Sequence, residues 1–189
     1  IALAATASQS SPLTTAILFN TKVGKLYAVP STTPAQFSSV DTAGLGASWT
    51  PLYNDPTTWA SGAFNQPSAG GLDYGWGAYN MTTHNVEANR IFVIKYTSGV
   101  VKKLHMTLNS IAGTYSLTYD NYDNSDLRTE TITIATYNTK NFVFYSLSAN
   151  SIVDREPAAV NWDFVLTQYF DMYPANAPTS MQQVGGILH

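Results

Sequence analysis

Four side chains that can ligate a soft metal centre lie on two nearby segments of the chain. Met81 and His84 fall within the stretch G-W-G-A-Y-N-M-T-T-H, and His105 and Met106 are adjacent in K-L-H-M-T-L. Neutral imidazole and thioether groups are the axial ligands of haem iron, which takes one donor on each face of the ring. If an iron porphyrin binds, we expect one ligand from Met81 or His84 and the other from His105 or Met106.

Three of these side chains also have a structural interpretation. Met106 alternates with Leu104 and Leu108, which is typical of core packing on one face of a strand. In the corresponding interpretation, His105 is an exposed residue on the other face of that strand. His84 is a loop histidine that is hydrogen-bonded to the backbone.

Motifs for other chemistries are missing from the sequence. It has no cysteine, no G-x-S-x-G elbow, no phosphate-binding loop and no zinc-type histidine spacing. Asp163 stands in an apolar run, but no second carboxylate or histidine is near enough in sequence for general acid–base catalysis. We therefore predict a protein that is not an enzyme, with no catalytic residues and no metal-ion site apart from the candidate haem ligands. A buried Asp163 would accept backbone hydrogen bonds.

One acidic turn is a weaker candidate for a calcium site. Asp120, Asp123 and Asp126 recur in D-N-Y-D-N-S-D, but the glycine and distal glutamate of an EF-hand loop are missing. We favour solvated turns at the tip of a hairpin.

The composition is typical of an exported β-protein. Only 11% of the 189 residues are charged, against about a quarter in ordinary domains, while 44% are hydrophobic and 13% aromatic. A net charge of −3 gives no basic field for nucleic acid. The sequence contains no apolar run of 18 residues, so no transmembrane helix is predicted. We expect residues 1–189 to form one domain of a longer chain, because the sequence begins at Ile1 without a methionine or a signal peptide.

Alternating apolar residues predict an antiparallel β-domain of at least seven strands with only short helical turns. The run N-W-D-F-V-L-T-Q-Y-F, residues 161–170, has the pattern of a central strand buried on both faces. We expect Trp162, Phe164 and Leu166 to be nearly inaccessible to solvent. A meander is expected over residues 91–96, 100–108, 115–119, 128–137 and 142–147, and one helical turn over residues 33–37.

Residues 41–80 are irregular and rich in aromatic side chains. Trp49, Tyr53, Trp59 and Trp76 are residue types enriched at binding hot spots, so this segment is a candidate docking surface. Alternatively, the same rings fill an irregular half of the core.

Several motifs in the second half of the chain are distinctive together. They are G-W-G-A-Y-N-M-T-T-H-N-V (75–86), I-F-V-I-K-Y (91–96), K-N-F-V-F-Y-S-L (140–147), V-D-R-E-P (153–157), N-W-D-F-V-L-T-Q-Y (161–169) and the terminal Q-Q-V-G-G-I-L (182–188). This set resembles the HmuY-like family of bacterial haem-binding surface proteins, and the matches run from about residue 40 to the end.

The resemblance implies an all-β meander or sandwich with long aromatic-rich loops. It also implies export, and display at the outer membrane as a lipoprotein or secreted protein. Haem uptake beside a TonB-dependent receptor is implied as well, with haem held by two histidines or two methionines. The alternatives are an accessory structural subunit, an adhesin, or a glycan-binding module of an outer-membrane complex that binds no haem.

Overall fold

The computed structural model describes residues 1–5, 15–58, 60–163, 165–173 and 180–188. Within these ranges the protein is all-β, with thirteen strands, no α-helix and four short 3-10 turns. The predictions of fold class and strand number are confirmed. So is the helical turn, which spans Pro34–Ser39 with Thr33 as its N-cap. No helix in these ranges is long and apolar enough to cross a membrane.

The elements follow one another with short connections after residue 77. The strands are β1 Ala2–Ala4, β2 Ile17–Leu18, β3 Gly24–Ala28, β4 Gly77–Asn80, β5 Asn85–Ala88, β6 Phe92–Tyr96, β7 Val101–Asn109, β8 Thr114–Asn121, β9 Arg128–Thr133, β10 Phe142–Ser146, β11 Ser151–Ile152, β12 Val165–Tyr173 and β13 Ser180–Leu188. The remaining 3-10 turns are Ala63–Asn65, Ile134–Tyr137 and Ala159–Asn161.

The larger sheet is organised around β7. Strand β8 pairs along one edge of β7 and carries β9 on its far side. The other edge of β7 pairs first with β6 and then, at Leu108 and Asn109, with β5. Strand β3 closes this sheet at one end beside β6, and β4 closes it beside β5. All of these pairs are antiparallel, as the hairpin spacing predicts.

A second sheet, in the order β11-β10-β1-β2, packs against the first. The core between them joins Leu3, Ile17 and Val143 of the smaller sheet to the inward residues of the larger one, so the fold is a β-sandwich. The inward residues of β7 are Leu104, Met106 and Leu108, all buried, which confirms the predicted alternation.

The irregular segment before β4 contributes to the core as well. Trp76 is fully buried, and its Nε1 donates a hydrogen bond of 2.8 Å to the carbonyl of Thr15. Phe64 is also fully buried and packs edge-on against Phe92. The interpretation of these loops as core filling is therefore correct for Trp76.

The prediction for residues 161–170 is wrong in two respects. The strand there, β12, pairs only with β13 among the described strands, so it is not central. Trp162 precedes the strand and is half-buried, and Asp163 is exposed. Phe164 and the side chain of Leu166 lie outside the described part of the chain. An apolar run shows that both faces are suited to burial, but it does not show how many strands lie beside it.

Lys103 is a further departure from the expected pattern. It lies on the face of β7 opposite Leu104, yet it is 1% exposed. The 3-10 turn at Pro34–Ser39 covers it, and its Nζ stands 4.9 Å from the centre of the Phe37 ring. A cation over an aromatic face is a favourable way to bury a lysine stem.

One ion pair fixes the loop that leads into β4. Both oxygens of Asp73 accept hydrogen bonds from the guanidinium of Arg90, at 2.7 and 2.8 Å. The same carboxylate accepts the backbone N–H groups of Ala69 and Gly75, each at 2.9 Å. These bonds, led by that from Arg90, hold the pKa of Asp73 far below its usual value.

We expect Asp73→Asn to destabilise the fold in a pH-dependent way. Because the pKa of Asp73 is lower in the folded protein, its stabilising effect is complete above the unfolded value near 4 and is lost as pH falls below it. Urea unfolding should show a deficit of roughly 1–3 kcal/mol at pH 7 that shrinks towards pH 3. Asp41→Asn, at an exposed carboxylate, is the control. A deficit independent of pH would contradict this role.

Gly75 provides a second test of the same loop. Its φ is +91°, and an added Cβ would lie 2.5 Å from the carbonyl oxygen of Asn65. Gly70 has a similar φ of +87° with open space around it. Gly70→Ala should cost about 1 kcal/mol from backbone strain alone, and Gly75→Ala roughly 3 kcal/mol because the backbone must also move. Equal losses in thermal unfolding would refute the close packing.

Candidate functional site

A pocket of about 340 Å³ opens at the end of the β3–β6 pair. Its principal lining residues are Lys25, Tyr27, Tyr53, Lys95, Tyr96 and Phe170, and we call it the lysine–tyrosine pocket. The volume lies near the lower end of the range for small-molecule sites, roughly 300–1,000 Å³, which is room for one ring-sized unit.

Strand register determines which side chains reach this pocket. Lys25 pairs directly with Lys95, and Tyr27 with Val93. Residues two apart on a strand share a face, so Lys25 and Tyr27 project on the side opposite Leu26, which is in the core. Lys95 projects with them, because directly paired residues lie on the same face of an antiparallel sheet.

The loop before residue 54 forms the opposite wall. The backbone N–H of Leu52 donates to the carbonyl of Leu26 at 2.8 Å, which holds the segment beside the outer edge of β3. Tyr53 follows directly, and its ring lies 4.9 Å from that of Phe170 with the planes tilted by 33°. Strand β12 thus contributes an aromatic side chain here.

Gly46 brings the preceding loop to the rim of the pocket. Its φ of +81° is a left-handed conformation that favours glycine. A Cβ built there would lie 3.8 Å from Lys95 Nζ and 3.9 Å from the Tyr27 hydroxyl. The loop, the ammonium group and the phenol therefore meet at one point.

The charged side chains that line the pocket are both positive. Within the described part of the chain, neither Lys25 nor Lys95 forms an ion pair, and no aspartate or glutamate lines the cavity. Burial, and then the neighbouring Tyr53, raise the pKa of Tyr27, and burial also raises the pKa of Tyr53 and Tyr96. The Tyr53 phenol, which is half-buried, is protonated at neutral pH and can donate a hydrogen bond to a ligand. Tyr27 is 1% exposed, and the hydroxyl of Tyr96 is bonded to Ser148.

Two of the four rings proposed for docking lie at or near this pocket. Tyr53 lines it, and Trp49 packs edge-on against Tyr27 with ring centres 6.3 Å apart. Both are half-buried, whereas Trp76 is enclosed in the core. Trp59 lies outside the described residues.

The structure separates the four expected haem ligands. Met81 is 71% exposed in the turn between β4 and β5. His84, in the same turn, has a φ of +57°, and its Nδ1 is hydrogen-bonded to the Tyr79 hydroxyl at 2.7 Å. Met106 is fully buried in the core, as its alternation with leucines predicts.

His105 lies on the other face of β7 from Met106. Its ring packs edge-on against Phe37, and its Nδ1 is buried without a hydrogen-bond partner among the described residues. Burial lowers the pKa of His105. His84, in contrast, is bonded to Tyr79, which pairs with the core residue Val86 on the inward side.

These positions do not fit a porphyrin held from two sides. Met106 cannot leave the core without a cavity, and the two histidines are associated with opposite faces of the sheet. Haem binding through Met81, His84, His105 and Met106 stays a prediction that absorbance measurements can test.

Basic side chains occupy the acidic turn considered for calcium. Lys102 Nζ bonds to Asn121 at 2.9 Å and to Asp126 at 3.3 Å, and Arg128 also bonds to Asp126. Lys103 Nζ bonds to the Asn124 side chain. Among the described residues, no group of three or more acidic, histidine or cysteine side chains is placed to hold a metal ion.

We expect Lys25→Glu to stabilise the protein. Like charges directly opposite on neighbouring strands repel, so the substitution replaces repulsion with a cross-strand ion pair to Lys95 worth about 0.2–1 kcal/mol. The thermal midpoint should rise by up to about 3 °C at low salt, and less at high salt. The control is Lys140→Glu, because Lys140 pairs with Asp154 and its reversal should lower the midpoint. An unchanged or lower midpoint for Lys25→Glu would show that the two lysines do not repel.

Comparisons with known proteins give no assignment. No family model, no curated protein and no solved structure matches this chain. The HmuY-like resemblance therefore remains an expectation from sequence motifs.

Proposed function

We propose that this protein is a non-catalytic binding domain that takes one ring of a carbohydrate into the lysine–tyrosine pocket. The observation that carries the proposal is the ring pair of Tyr53 and Phe170, which lines a cavity sized for one sugar unit. Tyr27 is buried beneath this surface. The C–H face of a pyranose packs against aromatic rings, and phenol groups hydrogen-bond its hydroxyls.

The residues around the pocket support a binding role more than a catalytic one. Retaining and inverting glycosidases both require two carboxyl groups flanking the scissile bond. The described lining residues include neither a carboxylate nor a histidine. Tyr27 is a poor nucleophile, because burial and Tyr53 raise its pKa and keep it protonated.

The wider setting rests on the sequence. Low charge, a surface rich in hydroxyl and amide side chains, and the HmuY-like motifs support a bacterial cell-surface or secreted protein. A glycan-binding module of an outer-membrane complex, with a TonB-dependent barrel as partner, fits the proposed pocket better than haem scavenging does. The partly exposed Trp49 and Tyr53 then lie at or beside the ligand site.

We expect Tyr53→Ala to weaken sugar binding strongly. A screen of immobilised oligosaccharides should identify ligands for the wild-type protein, and calorimetry with the best of them should show at least about a tenfold loss of affinity in the variant. Tyr122→Ala, which removes a ring that is 42% exposed in the acidic turn, should bind normally. Absence of any sugar ligand, or equal losses in both variants, would overturn the proposal.

Haem addition distinguishes the alternative function. A Soret band that is lost in a combined Met81→Ala, His84→Ala and His105→Ala variant would support haem scavenging instead. Met106 is left intact, since its removal from the core would cost roughly 2–5 kcal/mol and confuse loss of ligand with unfolding.

A further inference from the structure

The lysine–tyrosine pocket brings together two exposed lysines on neighbouring strands. Lys25 and Lys95 face each other directly across the β3–β6 ladder, and like charges in that position are destabilising. Neither lysine has an ion-pair partner in the part of the chain that the structure describes.

Protection of a sheet edge accounts for only one of the two lysines. Strand β3 ends the larger sheet, and a lysine on an edge strand discourages pairing with other chains. Lys95, however, is on β6, which pairs with β3 on one side and with β7 on the other. An interior strand needs no such protection, so the second lysine has no role at the edge.

The positive charge at Lys25 and Lys95 contrasts with the negative net charge of the whole chain. The chain has 12 acidic and 9 basic side chains, a net charge of −3. On or beside the other strands of the larger sheet, Arg90, Lys102 and Arg128 each pair with an aspartate. Lys103 instead bonds to an asparagine and lies against an aromatic ring. The described lining of the cavity has no acidic side chain, so the ammonium groups of Lys25 and Lys95 form a local positive field, which attracts an anionic ligand.

The aromatic walls limit the kind of anion. A bare phosphate or sulfate would offer no apolar surface to the aromatic side chains Tyr53 and Phe170, which line the pocket. A ligand that satisfies the whole pocket carries both a ring with an apolar face and a negative group attached to that ring. An acidic sugar, either a uronate or a sulfated sugar, has both.

We propose that the lysine–tyrosine pocket selects acidic sugars, with Lys25 and Lys95 on the anionic group and Tyr53 and Phe170 against the ring. This inference rests on the proposed carbohydrate function and specifies its ligand class. The two lysines supply charge and hydrogen bonds, while the rings supply contact area, so the two contributions can be separated by mutation.

Matched ligands test the charge requirement. The probes are a galacturonate trisaccharide with its methyl ester, and a sulfated galactose disaccharide with its desulfated form. Calorimetry at low salt should show at least about fivefold tighter binding of an acidic member than of its uncharged counterpart, and the preference should fade at about 1 M salt, where the Debye length is about 3 Å. The pair that shows the preference distinguishes carboxylate from sulfate recognition.

Variants test whether these lysines are responsible. Lys25→Gln and Lys95→Gln should each weaken binding of the acidic probe a few-fold and leave binding of its uncharged counterpart unchanged. Lys140→Gln makes the same change of charge on the smaller sheet's side of the fold and should leave both affinities as they are. Thermal unfolding of each variant confirms that the fold is intact.

The possible outcomes distinguish the preference for acidic sugars from carbohydrate binding itself. Equal binding of charged and uncharged probes, strongly weakened by Tyr53→Ala, would overturn the acidic preference and leave the carbohydrate site standing. A charge preference that survives in both lysine variants would also overturn the inference. Failure of every sugar probe to bind would remove the proposed function together with it.

Discussion

The fold depends on the alternation of side chains along β7. This strand is paired on both edges, so its backbone is fixed and its two faces carry different side chains. Leu104, Met106 and Leu108 fill the space between the two sheets. Lys103 and His105 project from the other face, where the turn at Pro34–Ser39 covers them through Phe37. A slip of one residue would exchange these two sets and place a lysine and a histidine in the core.

The same alternation, repeated on β3 and β6, produces the pocket. Leu26 and Ile94 face the core, and their neighbours Lys25 and Lys95 must therefore face outwards together. Because β3 ends the sheet, its outer edge is free to receive the segment around Leu52, which brings Tyr53 against the end of the pair. The pocket is thus formed where a regular ladder meets an irregular aromatic loop.

How far the sequence predicts this structure depends on how local each signal is. Alternation over β7 and β8, and the capped turn after Thr33, are local patterns and are recovered correctly. The burial of Lys103 depends on Phe37, far away in sequence, and could not be read from its own strand. The position of β12 failed for a related reason: hydrophobicity does not encode the number of neighbouring strands.

The candidate site was missed for the same physical reason. Lys25-Leu26-Tyr27 and Lys95-Tyr96 are ordinary strand sequences, and nothing in either marks a binding residue. They form a site only because the strand register places the two lysines opposite each other. Phe170, from a hairpin that is distant in sequence, completes the site by packing against Tyr53. The four soft donors, by comparison, were conspicuous in sequence because of their residue type, but the sheet distributes them between a turn, the core and the opposite face.

The sparse use of charge in this chain gives the unpaired lysines their significance. Arg90, Lys102, Arg128 and Lys140 all meet carboxylates. Lys25 and Lys95, among the described residues, meet only each other across the ladder. An arrangement that keeps two like charges in direct cross-strand register sacrifices some stability, and such losses concentrate where a protein binds its ligand. A ligand anion between the two ammonium groups would turn their repulsion into attraction, so the site that weakens the free protein would stabilise the complex.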